Sequence, residues 1–390
     1  MAEKKKQHFI PKTYLKRFSS DGRTFSIMNV KDNTVIEKVP LSKQCQKKYY
    51  YGTDLAWEAR LEKLEKNWAD VFVKVNKNDY LIEDDIKLLK QFAVYQRQRT
   101  FAEGNYRKEE RIALMKEHLR LNLVHNHIPY QENLVEDFCR QKAEENDIPS
   151  EILEWADEAV DLINDLKVIV VEYMTKNNLI SSDAPIILLN QFDVHAVGYS
   201  SMGLIIIFPI SHNKLVVIYD DVLYSQITNG QYVVSNCEEE VEHLNIMQYL
   251  SSENIIYGKD KEDFSFVNNE IVEKRNANRN QKPLSTLGPD ENKLLIVSNR
   301  RVTHTCELSF ARMSHNVRKI PRSCREAPPR FRDEGWRNKL YSKEYIIPEI
   351  MKNFPLKDKP FEMPTKEQRR GYRLMANFAD VYWQKKSSDS

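Results

Sequence analysis

The sequence predicts an α+β protein, with a helical N-terminal half packed on a small mixed or antiparallel sheet and a basic C-terminal α/β extension. Three observations carry this. Over roughly residues 54–165 apolar side chains recur every three to four positions, the period of helices with one face on a core. From 166 to 260 the texture changes to short β-branched runs separated by turn residues, the pattern of buried strands. The charge then reverses. Residues 1–270 carry 33 Lys and Arg against 43 Asp and Glu, and residues 271–390 carry 26 against 14. The formal net charge of +2 over 390 residues is therefore a cancellation. These divisions give a body over 1–270, a linker over 271–292 and a basic region over 293–390.

In chain order, residues 24–40 alternate apolar and polar positions around Lys31-Asp32-Asn33, which predicts a β-hairpin. Trp57, Leu61, Leu64, Trp68, Phe72 and Val75 define a first long helix. A second runs from about Glu83 to Thr100, a third over 103–123, and two more over 131–145 and 150–165. Val168–Val171, Ile186–Leu189, Leu204–Ile210 and Leu215–Tyr219 are the expected strands. A helix near 238–251 turns Val241, Leu244 and Met247 to one side. Asn276, Asn278, Asn280, Pro283, Gly288 and Pro289 mark the linker. A strand at 294–297 and helices near 344–353 and 366–385 are expected beyond it.

Composition excludes several classes. There are only 10 glycines, and neither a G-x-x-x-x-G-K-[ST] nor a G-x-G-x-x-G run, so no phosphate-cradling glycine loop is present. Five scattered cysteines without a C-x-x-C pair argue against a structural zinc site. The longest apolar run, Gly203–Ile210, is far short of the ~20 residues that span a bilayer. With no apolar stretch behind Lys4-Lys5-Lys6, the expected location is cytoplasmic and away from membranes.

Four places hold residues with chemical potential. His8-Phe9-Ile10-Pro11 opens a string in which Tyr14, Leu15 and Phe18 share a helical face started by Pro11. Two readings of His8 stand: a proton-transfer group with Lys12 or Arg17 as anion holder, or a structural hydrogen-bonder at the start of the fold. Ser182-Asp183-Ala184-Pro185 is either an ordinary turn or a carboxylate presented at a sheet edge. Gln96-Arg97-Gln98-Arg99 closes the second helix. Its arginines suit the helix dipole, and their planar fork also suits a phosphate. Finally, Arg300, Arg301, Arg318, Lys319, Arg322, Arg325, Arg330 and Arg332 interleave with Phe310, Phe331 and Trp336. That mixture fits either a nucleic-acid backbone with stacked bases or the acidic stretch 132–172 of the same chain.

His8, Phe9, Pro11, Tyr14, Leu15 and Phe18 match an H-[YF]-x-P-x-x-Y-L-x-x-F string. Gln96, Arg99 and Thr100 match a helix end of the form Gln-x-x-Arg-Thr, Ser182, Asp183 and Pro185 match S-D-x-P, and Phe208–Ser211 match F-P-[LI]-S. Together with Leu244-Asn245 and Ile256-Tyr257 these strings resemble domain-of-unknown-function family 4238, over about residues 7–260. Ala184 and His212 depart from the family, which often has Asn and Pro there. The resemblance supplies no reaction. It implies that His8 and Asp183 act together.

The expectation drawn from these features is a phosphodiesterase acting on RNA or DNA, a nuclease-like effector of the antiviral-defence or toxin kind. His8 and Asp183 are its candidate catalytic pair. Tyr14, Arg17, Gln96, Arg99 and Ser182 are candidates for substrate contact, and the arginines of 300–332 for backbone contact. The metal ligands and cofactor are unassigned, a divalent ion such as Mg²⁺ being the one weighed. The alternative is a non-catalytic module that binds nucleic acid or a protein partner.

Overall fold

The computed structural model describes residues 6–279 apart from 52–55, 145–151, 192–197, 202, 222 and 227–229, and further on residues 284–287, 295–298, 304, 308–309 and 311–313. The chain opens with strand β1 (Lys6–His8), one turn of helix α1 (Lys12–Leu15) and the hairpin β2 (Thr24–Asn29) and β3 (Val35–Pro40). Strand β4 (Gln46–Lys48) returns to pair with β1. Helices α2 (Ala56–Lys77), α3 (Glu83–Gln98), α4 (Phe101–His125), α5 (Glu132–Glu144) and α6 (Ala156–Asp161) follow. Then come β5 (Lys167–Tyr173), β6 (Ser181–Ser182), β7 (Ile187–Leu189), β8 (Ile205–Ser211), β9 (Lys214–Tyr219), β10 (Tyr224–Gln226) and β11 (Tyr232–Ser235). Helix α7 (Glu238–Ser251), β12 (Ile255–Gly258), α8 (Asn269–Arg279), β13 (Leu284–Leu287), β14 (Leu295–Ser298) and β15 (Ala311–Met313) come next, and short 3-10 turns lie at Lys16–Phe18, Leu41–Lys43 and Lys261–Phe264. The fold is α+β, as the sequence predicts.

The larger sheet has the order β11-β5-β9-β8-β7, with only the β11–β5 pair parallel. Every residue of β8 and β9 is buried, because the sheet is covered on both faces. Alternate residues divide between two cores. Ile206, Phe208 and Ile210 face the helical side with Phe72, Phe92 and Trp68, whereas Ile205 and Ile207 face Val241, Leu244 and Met247 of α7. A proline inside such a strand needs a reason, since it donates no ladder hydrogen bond. Pro209 is tolerated because β7 pairs only with residues 205–207 and the β8–β9 register shifts between 209 and 211. The second sheet, β3-β2-β12-β6, is antiparallel and carries the N-terminal hairpin at its edge. Strand β3 is mostly exposed and contains a bulge in which Lys38 takes a left-handed conformation, φ 53°.

Lys214 shows how the two layers are joined. Its stem is buried at the start of β9, and its ammonium donates to the carbonyls of Val75 (3.1 Å) and Asn76 (2.8 Å) and to Asn78 Oδ1 (2.6 Å). These acceptors close the C-terminus of α2, where carbonyls lack helical partners and a cation is favoured.

Two expectations are corrected here. The linker expected over 271–292 starts with helix: α8 runs to Arg279 and buries Ile271, Arg275 and Asn278 at helical spacing. The asparagines read as turn formers, but Asn278 is turned inward. Ser181-Ser182, read as a turn, is a short strand paired with Ile256 and Tyr257. The expected strand at 294–297 is found at Leu295–Ser298, paired with β13. The expected helices near 344–353 and 366–385 lie outside the described residues. Replacing Lys214 with Met keeps the stem and leaves three acceptors without a donor, so the variant is expected to lose about 1–3 kcal/mol in urea unfolding. An unchanged midpoint would show that water replaces the ammonium.

Candidate functional site

The N-terminal string is threaded through the middle of the fold. Pairing of β1 with β4 sets His8 opposite Gln46, and the Phe9 N–H donates to the Cys45 carbonyl at 3.0 Å. Pro11 then starts α1, its carbonyl accepting from the N–H groups of Tyr14 and Leu15. Tyr14 is fully buried. Its hydroxyl has one hydrogen, donated to the Pro209 carbonyl at 2.7 Å, so the 3.0 Å contact with Ser181 Oγ has the serine as donor. Burial pushes the phenol far above its ordinary range. Tyr14 therefore ties the string to β8 and β6 and has no free polar atom to offer a substrate.

The end of α3 meets this string. Gln96 donates to the Phe9 carbonyl at 3.0 Å and accepts from Arg99 Nε at 2.9 Å. Arg99 Nη1 donates to Glu65 Oε1 at 2.7 Å, and the guanidinium lies over the Trp68 ring. Its side chain has no solvent exposure, and Nη2 is buried without a hydrogen-bond partner among the described residues. The same is true of His8 Nε2. Burial, then Lys12, then Arg99 lower His8 to about 4, so its imidazole is neutral at pH 7. Arg97, two residues earlier, faces elsewhere, with Glu103 at 3.0 Å and the Ile186 carbonyl at 3.4 Å. Arg17 lies over Phe72, one turn along α2 from Trp68. Its Nε is buried without a hydrogen-bond partner among the described residues, and burial lowers its basicity to about 10.

Asp183 serves a different neighbourhood. Oδ1 accepts from the Glu253 N–H (2.7 Å), and Oδ2 from Asn254 (2.8 Å) and Ile255 (3.3 Å), so the carboxylate closes the turn between α7 and β12. Burial raises it to about 6 against the opposing pull of these donors. Ser182 Oγ donates to Gln248 Oε1 at 2.7 Å, and Arg275 of α8 donates to the Ser252 and Glu253 carbonyls of the same turn. The charge of Asp183 bears on Cys45, Tyr257 and Arg275, while the charges that bear on His8 are Lys12 and Arg99. Cys45 is where the two halves meet. It feels both Arg99 and Asp183, and its thiol contacts the Tyr257 hydroxyl at 2.7 Å.

The structure thus gathers His8, Gln96 and Arg99 at one junction and places Ser182 and Asp183 at another, with Tyr14 as a tie between layers. Sequence reasoning missed Glu65, Cys45 and Arg275, and had Tyr257 only as part of a family string without a role. Glu65 carried a signal, one turn before Trp68 on the inner side of α2; Cys45, held at φ 51°, carried none. Among the described residues no three His, Cys, Asp or Glu side chains gather to hold a metal ion. Asp183 already receives three N–H groups, which is a poor fit to a metal ligand. Arg300, Arg301, Arg318, Lys319, Arg322, Arg325, Arg330 and Arg332 lie outside the described residues.

An N-terminal string with its histidine at the rim of a buried polar seam, clasped between a helical layer and a two-faced sheet, defines an α+β domain built around its own first residues. The chain belongs to the DUF4238 family, described as a protein of unknown function, whose sequence profile matches residues 6–262. No curated protein and no solved structure matches the chain. The family match takes in both junctions and stops short of Arg275.

The Asp183 carboxylate makes a signed prediction. Its folded form holds a proton more tightly than an ordinary carboxyl, so its contribution to stability is full below about pH 4 and is lost as pH rises through about 6. Asp183→Asn turns an amide N–H₂ toward backbone donors. The variant is expected to melt lower at pH 4, by about 1–3 kcal/mol, and the wild-type advantage is expected to shrink as pH rises from about 4 through 6. Thermal melts across that range measure both; a flat difference curve rules out titration of Asp183.

Proposed function

We propose that the protein acts on nucleic acid as a phosphodiesterase, a nuclease-like effector, with its chemistry at the His8–Arg99 junction. The observation that carries this is a pair of buried nitrogens without partners among the described residues, His8 Nε2 and Arg99 Nη2, on groups close enough for one to depress the basicity of the other. A neutral imidazole can take the proton of a hydroxyl attacking phosphorus, and a held guanidinium can receive the non-bridging oxygen as charge builds on it. Glu65 and Gln96 fix the guanidinium and leave one nitrogen for that task. Lys12, exposed on the same string, adds attraction for a polyanion. Because Arg99 has no exposure, a phosphate reaches it only when the string shifts, and β1 is held to β4 by a ladder three residues long. Asp183, expected as the partner of His8 in one cleft, takes no part in this site: its oxygens are spent on the N–H groups of residues 253–255.

Incubating the full chain with RNA and with DNA, in chelator, Mg²⁺ or Mn²⁺, tests the reading. Cleavage is expected to drop about 10²–10⁴-fold in His8→Ala, and the acid limb of the rate profile is expected near pH 4 instead of the ordinary 6.5. Intact substrates in every condition, or full activity in His8→Ala, would overturn it.

A second reading, a non-catalytic module that binds nucleic acid or a protein partner, is favoured by one fact. Asp183, Ser182, Gln96 and Tyr14 all direct their hydrogen bonds to the fold. In that case His8→Ala lowers stability and leaves nucleic-acid affinity per folded molecule unchanged. Deleting residues 300–340 then removes the affinity and flattens its salt dependence.

A further inference from the structure

Beyond α8, the described residues of 304–313 return to the body at three places. His304 lies between α7 and α8: its Nε2 is 2.9 Å from His243 Nδ1, and its Nδ1 is 2.8 Å from Lys274 Nζ. The Ser309 N–H and hydroxyl donate to the two oxygens of Glu240 at 2.8 and 2.9 Å, while Leu308 is buried in the α7-side core. Strand β15 then pairs antiparallel with β10.

The hydrogens of this chain of contacts can be assigned by chemistry. An ammonium only donates, so Lys274 requires His304 Nδ1 to be an acceptor. The His304 hydrogen must then sit on Nε2 and point at His243 Nδ1, which in turn must be an acceptor. The hydrogen of His243 is left on Nε2, facing the Glu239 carboxylate at 3.6 Å. The relay runs one way, from Lys274 through His304 and His243 to Glu239. It works only with both rings neutral. A second proton on His304 would land on Nδ1, against the ammonium; one on His243 would land on Nδ1, against the His304 N–H.

We propose that His304, Leu308–Ser309 and Ala311–Met313 form an acid-releasable strap docked on α7, α8 and β10, which is freed when His304 takes a second proton. The charged and titratable groups facing His304 among the described residues are His243, with Glu239 behind it, on α7 and Lys274 on α8. Burial first, then Lys274 and His243, lower His304 to about 4. Docking is therefore complete above the free-imidazole value of 6.5 and weakens as pH falls toward 4. One titrating ring changes the docking equilibrium by up to tenfold per pH unit.

Amide hydrogen exchange of the full chain at pH 7.5 and 5.0, corrected for intrinsic rate, tests this. Protection of 304–313 and 224–226 is expected to drop by about thirtyfold at pH 5.0, with 205–219 unchanged. His304→Gln offers an acceptor and a donor without titrating, and is expected to keep its protection at both values; His304→Ala is expected to lose it at both. Wild-type protection that ignores pH, or an unaltered pH dependence in His304→Gln, would overturn the strap. Should the glutamine fail to dock at either pH, ¹⁵N spectra of the wild-type imidazoles at pH 7.5 decide. A hydrogen on His304 Nε2 supports the relay, and one on Nδ1 overturns it.

Discussion

One buried phenol holds three parts of the molecule in register. Tyr14 belongs to the N-terminal string, donates to the Pro209 carbonyl in the larger sheet and accepts from Ser181 in the smaller one. The ring packs against Phe18, Phe72 and Phe92. Pro209 gives up a ladder donor, and its carbonyl is used by a side chain from 195 residues away. Leaving such acceptors empty would carry a penalty of about 1–3 kcal/mol each. The string cannot move as a unit without disturbing both sheets, so its two ends have different freedom. Phe9, Ile10, Tyr14, Leu15 and Phe18 are locked into the core, while His8 is held by β4 and lies at the surface of that lock.

This division explains the electrostatics. A guanidinium without exposure needs fixed partners, and Arg99 has Glu65, Gln96 and the Trp68 face. The same positive charge, with Lys12, keeps the nearby imidazole unprotonated. On the other side of Cys45 and Tyr257 the sign reverses: an acid is buried, raised and surrounded by backbone donors. The seam between the layers runs from a cationic end to an anionic one. Its opposite charges hold separate turns in place instead of meeting as an ion pair.

Where the period of the sequence reports burial, the fold was legible. The inner face of α2 was read from its tryptophans, β8 and β9 from unbroken apolar runs, and the inner side of α7 from Val241, Leu244 and Met247. Strands of two to four residues, such as β1, β4, β6 and β11, are too short to show a period, and their pairing is decided by distant partners. Helix α8 was hidden by asparagines whose turn propensity tertiary packing overrides. At the site, sequence showed which polar residues sit among apolar ones but not which way they face. His8, Gln96 and Arg99 converge, whereas Asp183 turns to the N–H groups of residues 253–255, a choice fixed by the path of the chain after α7.

The exposed strand β3 bears on how this chain meets other chains. An unpaired sheet edge is a template on which another chain can polymerise, and Val35 and Ile36 lie open to solvent along this one. The bulge at Lys38 breaks the repeat of donors and acceptors, Pro40 removes a donor, and Glu37 and Lys38 place charges on the rim. A neighbouring strand could match only a residue or two before losing step. The irregular edge therefore works as a guard against self-assembly into fibres, and straightening it would be expected to turn this sheet margin into a seed.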